Sequence, residues 1–198
     1  MCGGVDMVNS MELPKKIYLT EYGGNYERYV DAVYEVFERD FIRHRAMFGS
    51  HGLRMKYHPE FQGRAYTFYH MTHKGEVESE RLPDLRRCEC MPWARPSVEN
   101  VESWELKFWR QSRQRSDNRV CICLERNDGV VDVDYFVILE VRNDYVLLWT
   151  AFVSEWEHQT KKKLREYEEW KLSAGQCIVT PDDLICSIQL EIKARSGR

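Results

Sequence analysis

Residues 119–153, "RVCICLERNDGVVDVDYFVILEVRNDYVLLWTAFV", decide the fold. Three runs rich in β-branched and aromatic residues, RVCICLER, YFVILEV and YVLLWTAFV, are separated by NDGVVD and RND, whose Asn, Asp and Gly suit turns. The pattern predicts a three-strand antiparallel meander. Downstream, SEWEHQTKKKLREYEEWK reads as a charged helix whose thin apolar stripe is Trp156, Leu164, Tyr167 and Trp170. His158 lies there beside Lys161–Lys163 and reads as a solvated surface residue. The last stretch, CIVTPDDLICSIQLEIK, either adds an edge strand or lies outside the core. Asp182 and Asp183, after Pro181, read as a turn or helix cap.

Upstream, NYERYVDAVYEVFERDFIRHR places Tyr26, Tyr29, Val30, Val33, Phe37 and Phe41 on one face at helical spacing, with Asn25 as N-cap. LRMKYH and RAYTFYHM both alternate and are separated by PEFQG, which predicts a hairpin with strands about 53–58 and 64–71. Residues 72–100 form a long polar connection, with one helical turn around Leu85–Glu89. SWELKFWRQSRQRS fits a short helix or a strand. The expected fold class is therefore α+β: an N-terminal helix, a β-hairpin, a long polar loop, a three-strand antiparallel meander and a C-terminal helix packed on one sheet. The expected organisation is a flexible N-terminus over 1–16, a single domain over 17–172 and a C-terminal extension over 173–198.

Composition narrows the classes. The 198 residues are 43% hydrophobic and 31% charged, enough for a core with a polar surface. YVLLWTAFV falls short of the roughly 20 apolar residues of a bilayer-spanning helix, so no membrane association is expected. No basic segment leads into an apolar one, so no secretory signal is expected either. Seven cysteines, an odd number with two CxC pairs, do not read as a disulfide framework and suggest a reducing cytoplasm. The net charge of −3 argues against a protein that coats nucleic acid non-specifically. Residues 39–74 nevertheless carry seven basic side chains against two acidic ones, so a local basic face is expected.

The chemistry concentrates in Phe68–Pro96, "FYHMTHKGEVESERLPDLRRCECMPWARP". Metal binding is the weaker reading. Cys88-x-Cys90 and Cys121-x-Cys123 lack the CxxC knuckle spacing, and His70-x-x-His73 is not the HExxH helix signature, so no metal or cofactor is expected. Phosphodiester chemistry needs a group that takes or gives a proton and cations that hold the charged phosphorane. His70 is the candidate general base or acid, with Glu80 as its partner. Arg81 and Arg87 are the candidate catalytic cations, because a planar guanidinium donates bidentately to phosphate oxygens. Arg86, Trp93, Arg95 and Thr150 are candidate substrate contacts, Trp93 by stacking an unpaired base. The blander account of the same stretch is a loop held by local ion pairs.

PDLRRCE, W-x-RP-x-x-EN over Trp93–Asn100, and LLWTA, in that order, resemble a small family of prophage-associated, phage-related bacterial proteins over roughly residues 20–170. In layout alone the chain is similar to barnase–colicin–RelE type ribonucleases, which need no metal. That resemblance implies N-terminal helices packed on an antiparallel sheet whose exposed face carries the site. It implies a cytoplasmic endoribonuclease, a toxin or phage-defence effector acting on RNA such as tRNA, with an antitoxin or immunity protein as partner. By type and position it assigns the phosphate role to Arg81, Arg86, Arg87 and Arg95 beside His70. The acidic charge and the segment after residue 172 depart from that pattern. The alternative class is a non-catalytic module that binds RNA or protein.

Overall fold

A computed structural model describes residues 11–111, 118–126, 131–173 and 175–196. The first ten residues, assigned above to a flexible terminus, and most of the NDGVVD turn lie outside the described residues. The fold is α+β. After a 3-10 turn at Leu19–Tyr22, helix α1 (Tyr26–Phe37) runs into one π-helical turn at Glu38–Arg43. Asn25 caps it as expected, its Oδ1 accepting from the Arg28 amide at 3.0 Å. Tyr29, Val30, Val33, Phe37 and Phe41 are buried along the predicted stripe.

A hairpin does follow α1, but it is formed by β1 (Met47–Phe48) and β2 (His51–Arg54). The expected second strand at 64–71 is instead helix α2 (Tyr66–Thr72). Its residues Tyr66, Thr67, Phe68, His70, Met71 and Thr72 are all buried, so the segment has no polar face to set a helical period. The MKYH run before it is not a strand either. The carbonyls of Lys56 and Tyr57 accept from the first amides of α2, Thr67 and Tyr66, at 3.0 Å each, and so satisfy a helix start that has no capping side chain.

The long connection is also structured. It holds a two-stranded ribbon of β3 (His73–Lys74) and β4 (Leu82–Pro83), then α3 (Leu85–Glu89), a 3-10 turn at Met91–Trp93 and α4 (Ala94–Glu99). The meander gains a strand, because the ambiguous segment forms β5 (Lys107–Gln111) antiparallel to β6 (Arg119–Leu124). β7 (Tyr135–Val141) and β8 (Val146–Val153) complete it. The sheet order is β1-β2-β8-β7-β6-β5, antiparallel except where β2 joins β8 in parallel through Leu53↔Val146 and Arg54↔Leu147.

Both faces of this sheet are covered. α1, α2 and α3 pack on one face, over Val120, Ile122, Val137 and Leu139. α5 (Glu157–Leu172) lies on the other, where Leu164, Tyr167 and Trp170 meet Trp109, Cys121, Cys123 and Phe136. The N-terminal helices and α5 thus pack on opposite faces of the one sheet. That arrangement explains why every residue of β7 is buried, as in a strand sandwiched between two layers.

The C-terminal segment is neither an edge strand nor outside the core. It forms α6 (Pro181–Ser196), whose Leu184, Ile185 and Ile188 are buried in the main core. Arg110 on β5 donates to both carboxylate oxygens of Glu191, at 2.6 and 2.8 Å, and ties the helix to the sheet. Residues 11–16 are likewise attached: Met11 and Leu13 pack on the core, and Lys16 pairs with Asp132 at 2.8 Å. Ile185→Ala is expected to cost about 2–5 kcal/mol of unfolding free energy, whereas Leu190→Ala should stay within about 0.5 kcal/mol. Urea unfolding of the two variants checks this; equal effects would show that α6 is not seated on the core.

Candidate functional site

A cleft of about 260 Å³ opens where β8 passes beyond β2 and α2 takes over its edge. Two local features build it. The β7–β8 register steps by one residue between Ile138 and Leu139, because Ile138 faces Thr150 while Leu139 faces Leu148. Trp149 is thus the extra residue of a β-bulge, a device that re-aims side chains. Trp149 falls on the α5 face of the sheet, while Thr150 turns to the edge and donates from Oγ1 to the His70 carbonyl at 2.8 Å. Further along α2, Thr67 Oγ1 donates to the Leu148 carbonyl at 3.5 Å.

The second feature is the return of the chain from α2 to α3. The Asp84 amide donates to the Thr72 carbonyl at 2.8 Å, and its carboxylate caps α3 by accepting from the amides of Arg86 and Arg87 at 3.1 and 3.4 Å. Asp84 also lies 3.5 Å from the Arg87 guanidinium and 3.6 Å from Lys74. Arg87 NH1 in turn donates to the carbonyls of His70 and His73, at 3.3 and 3.1 Å. At the ribbon turn, Gly75 has φ +147°, and a Cβ there would come within 3.2 Å of the Arg81 Cα. Only glycine lets the backbone approach Arg81 so closely without strain.

His70, Lys74, Arg81, Arg87 and Arg119 share the walls of this cleft with Trp149 and Thr150. His70 is 5% exposed. Its ring lies against Tyr66 and Trp149, at centroid distances of 4.5 and 5.6 Å. Burial, and after it the charge of Arg81, pushes its pKa down to about 4, so the ring is neutral near pH 7. Arg81 NH1 sits 3.0 Å from Nδ1. Because a guanidinium only donates, Nδ1 is the unprotonated nitrogen and the ring proton is on Nε2. Nε2 is buried with no hydrogen-bond partner among the described residues. Beside the cleft's cations His70 therefore keeps a buried N–H without an acceptor. Burial lowers the Arg87 pKa as well, yet a guanidinium stays charged. Arg119 places its guanidinium 4.5 Å above the Trp149 ring and 3.9 Å from Glu140.

Of the residues singled out in the sequence, His70, Arg81, Arg87 and Thr150 come together here. Glu80 does not: it is exposed on a 3-10 turn (Glu78–Glu80) and makes no hydrogen bond or ion pair with His70. The carboxylate whose charge reaches His70 belongs to Glu78. Trp93 is a core residue, its Nε1 donating to the Pro14 carbonyl at 2.9 Å, so it offers no face for stacking. Arg95 lies on α4, where it pairs with Glu99 at 2.9 Å and donates to the carbonyls of Asp40 and His44. Arg86 points into the adjoining depression. Lys74, Arg119 and Trp149 were missed. Arg119 opens a strand far along the chain, and no local signal marks it.

The metal readings find no support in the geometry. The cysteine pairs lie on opposite faces of the sheet, Cys88 and Cys90 in one cluster and Cys121 and Cys123 in the other. Burial pushes the thiols of Cys88 and Cys90 up to about 12, away from the thiolate form that binds metal. His73 turns from His70 toward a separate cavity lined by Tyr69 and Phe61. Among the described residues no three His, Cys, Asp or Glu side chains are placed to hold a metal ion, and no helix is long and apolar enough to cross a membrane.

No protein-family model matches the chain, no curated protein matches it, and no solved structure matches it. The functional reading accordingly rests on the cleft.

The pH dependence of stability follows from His70. Between pH 6.5 and 4 the unfolded chain carries a proton on this ring that the folded chain does not. Lowering the pH through that window therefore destabilises the protein by up to about 1.4 kcal/mol per unit, and above the window the ring contributes no slope. Urea unfolding from pH 4.5 to 7.5 should show the slope in the wild type and a shallower one in His70→Asn, with the remainder due to His73, whose pKa burial also lowers, and at the acid end to carboxylates such as Asp132 and Glu155, whose pKa the hydrogen bonds from Lys16 and Lys74 lower. An unchanged slope in the variant would refute the assignment.

Proposed function

We propose that the protein is a metal-independent endoribonuclease that binds the scissile phosphodiester in this cationic cleft. The observation that carries the reading is the convergence of His70, Arg81, Arg87 and Arg119 on one concave surface, in a chain whose net charge is −3. The ribose 2′-hydroxyl gives its proton to His70 as its oxygen attacks phosphorus, which closes a 2′,3′-cyclic phosphate and expels the 5′-oxygen, protonated in turn by solvent water. Negative charge builds on the non-bridging oxygens meanwhile, and preorganised guanidinium groups stabilise it most strongly in a site shielded from water.

The proton chemistry follows from the Arg81 contact. At rest burial depresses the ring's basicity most, and Arg81, which occupies the Nδ1 lone pair, adds to this through its charge. A phosphate oxygen competes for Arg81. When the guanidinium turns to the substrate, Nδ1 is freed and Arg81's share of the depression is offset, so His70 gains basicity with substrate present although burial still opposes its protonation. Arg87 is fastened to the carbonyls of His70 and His73, and so positions the helix end as well as the phosphate. The buried free thiols of Cys88, Cys90 and Cys123 suit a cytoplasmic setting. A toxin or defence role, with a dedicated inhibitor as partner, is the biological context this activity fits.

The resting state of His70 also favours a second reading, a module that binds RNA without cutting it. Incubation with total RNA in the presence of EDTA separates the two. Cleavage with 2′,3′-cyclic phosphate ends is expected, with a loss of 100-fold or more in Arg81→Ala, since electrostatic donors to a developing oxyanion are worth about 10²–10³ in rate. Expression in bacteria should arrest growth in the wild type and not in that variant. Intact RNA and unimpaired growth with the wild type would overturn the nuclease. A steep loss of RNA affinity with salt would then identify the binding module.

A further inference from the structure

Trp156 follows the end of β8 by three residues and is 59% exposed. It is not isolated. Its ring lies nearly parallel to that of His158, at 19° and 6.5 Å between centroids. It lines a depression of about 400 Å³ together with Lys74, Arg86 and Glu155. Lys74 also lines the cationic cleft, so the two cavities share a wall. On the far side, His158 borders a larger groove of about 810 Å³ that reaches Phe152, another cleft residue, and carries Lys162 and Lys163. The indole thus lines the depression next to the cleft and lies against His158, which borders the groove. Arg86 beside it is exposed and has no ion-pair partner among the described residues.

We infer that Trp156 is a stacking platform for an unpaired nucleobase next to the phosphate held in the cleft, with Arg86 meeting a neighbouring phosphate, so that the substrate is a single strand. The inference rests on the cleft's taking the sugar–phosphate backbone. Stacking on an exposed indole is sequence-tolerant, because every base has a π-face. It requires an unstacked base, which a duplex does not offer. Lys74 reaches both cavities, and its ion pair with Glu155, the residue before Trp156, fixes the indole relative to the cleft. The stacking role expected of Trp93 therefore passes to Trp156.

The test uses probes that cannot be cut. Fluorescence anisotropy compares a 2′-O-methyl oligouridine octamer, the same backbone without bases, and a duplex of the same length. The wild type should bind the octamer more tightly than either of the others. Trp156→Ala should weaken octamer binding by about 5- to 100-fold, the range of base–aromatic stacking, and Trp156→Phe should weaken it less. Affinity for the base-free backbone should be the same in the wild type and Trp156→Ala. An octamer affinity unchanged in Trp156→Ala, with binding abolished in Arg87→Ala, would overturn the platform and leave the phosphate cleft standing. An equal loss for octamer and base-free backbone would also overturn it, because the indole would then act through the start of α5. Failure of the wild type to bind any probe would overturn both the platform and the cleft.

Discussion

One unpaired edge organises this protein. β2 covers β8 only at Val146 and Leu147, and the remainder of that edge must find other partners for its backbone. α2 supplies one, Thr67 Oγ1 donating to the Leu148 carbonyl, and is tied to the edge in return by the Thr150 hydroxyl, which donates to the His70 carbonyl. A helix wedged against a sheet edge has neighbours on every side, which is why six of its seven residues are buried. His70 is carried into that wedge, where Arg81, from the ribbon leaving α2, meets its Nδ1 and Arg87, from α3, meets its carbonyl. The bulge at Trp149 completes the arrangement, because the indole on the α5 face and the Thr150 hydroxyl at the edge both meet His70.

What could be read in advance follows from this. The strands of the meander were legible because their runs are bounded by turn residues, and α1 because its stripe is regular. α2 was not, since aromatic residues at both parities of AYTFYHMT satisfy a strand's alternation, and burial all round erases the helical stripe. α6 mixes buried Leu184, Ile185 and Ile188 with exposed Leu190, so its apolar residues do not reveal one face. The site was half legible. The concentration of arginines after His70 pointed to the right region, but neighbours in sequence do not share a direction on a helix. Arg86 and Arg87 diverge for that reason. Trp93 and Arg95 belong to the packing of the N-terminal layer, whereas Arg119 arrives from a separate strand.

The cleft is an island of positive charge in an acidic chain, and its cations are not equivalent. Arg87 and Lys74 face Asp84, Lys74 also faces Glu155, and Arg119 faces Glu140. Arg81 is bonded to a neutral ring instead. An arriving anion meets the least competition at Arg81, because the other cations must first loosen from carboxylates. That ordering makes the His70–Arg81 contact the natural point of first response.

Asp84 gives this response a mechanical limit. Its carboxylate is held by two backbone amides at the start of α3 as well as by the cations. Lys74 or Arg87 can be drawn toward a ligand while those amides remain attached, so the helix keeps its cap when the salt bridges open. The buried acid acts as a mooring: charge can leave it and return without the fold having to rearrange around it.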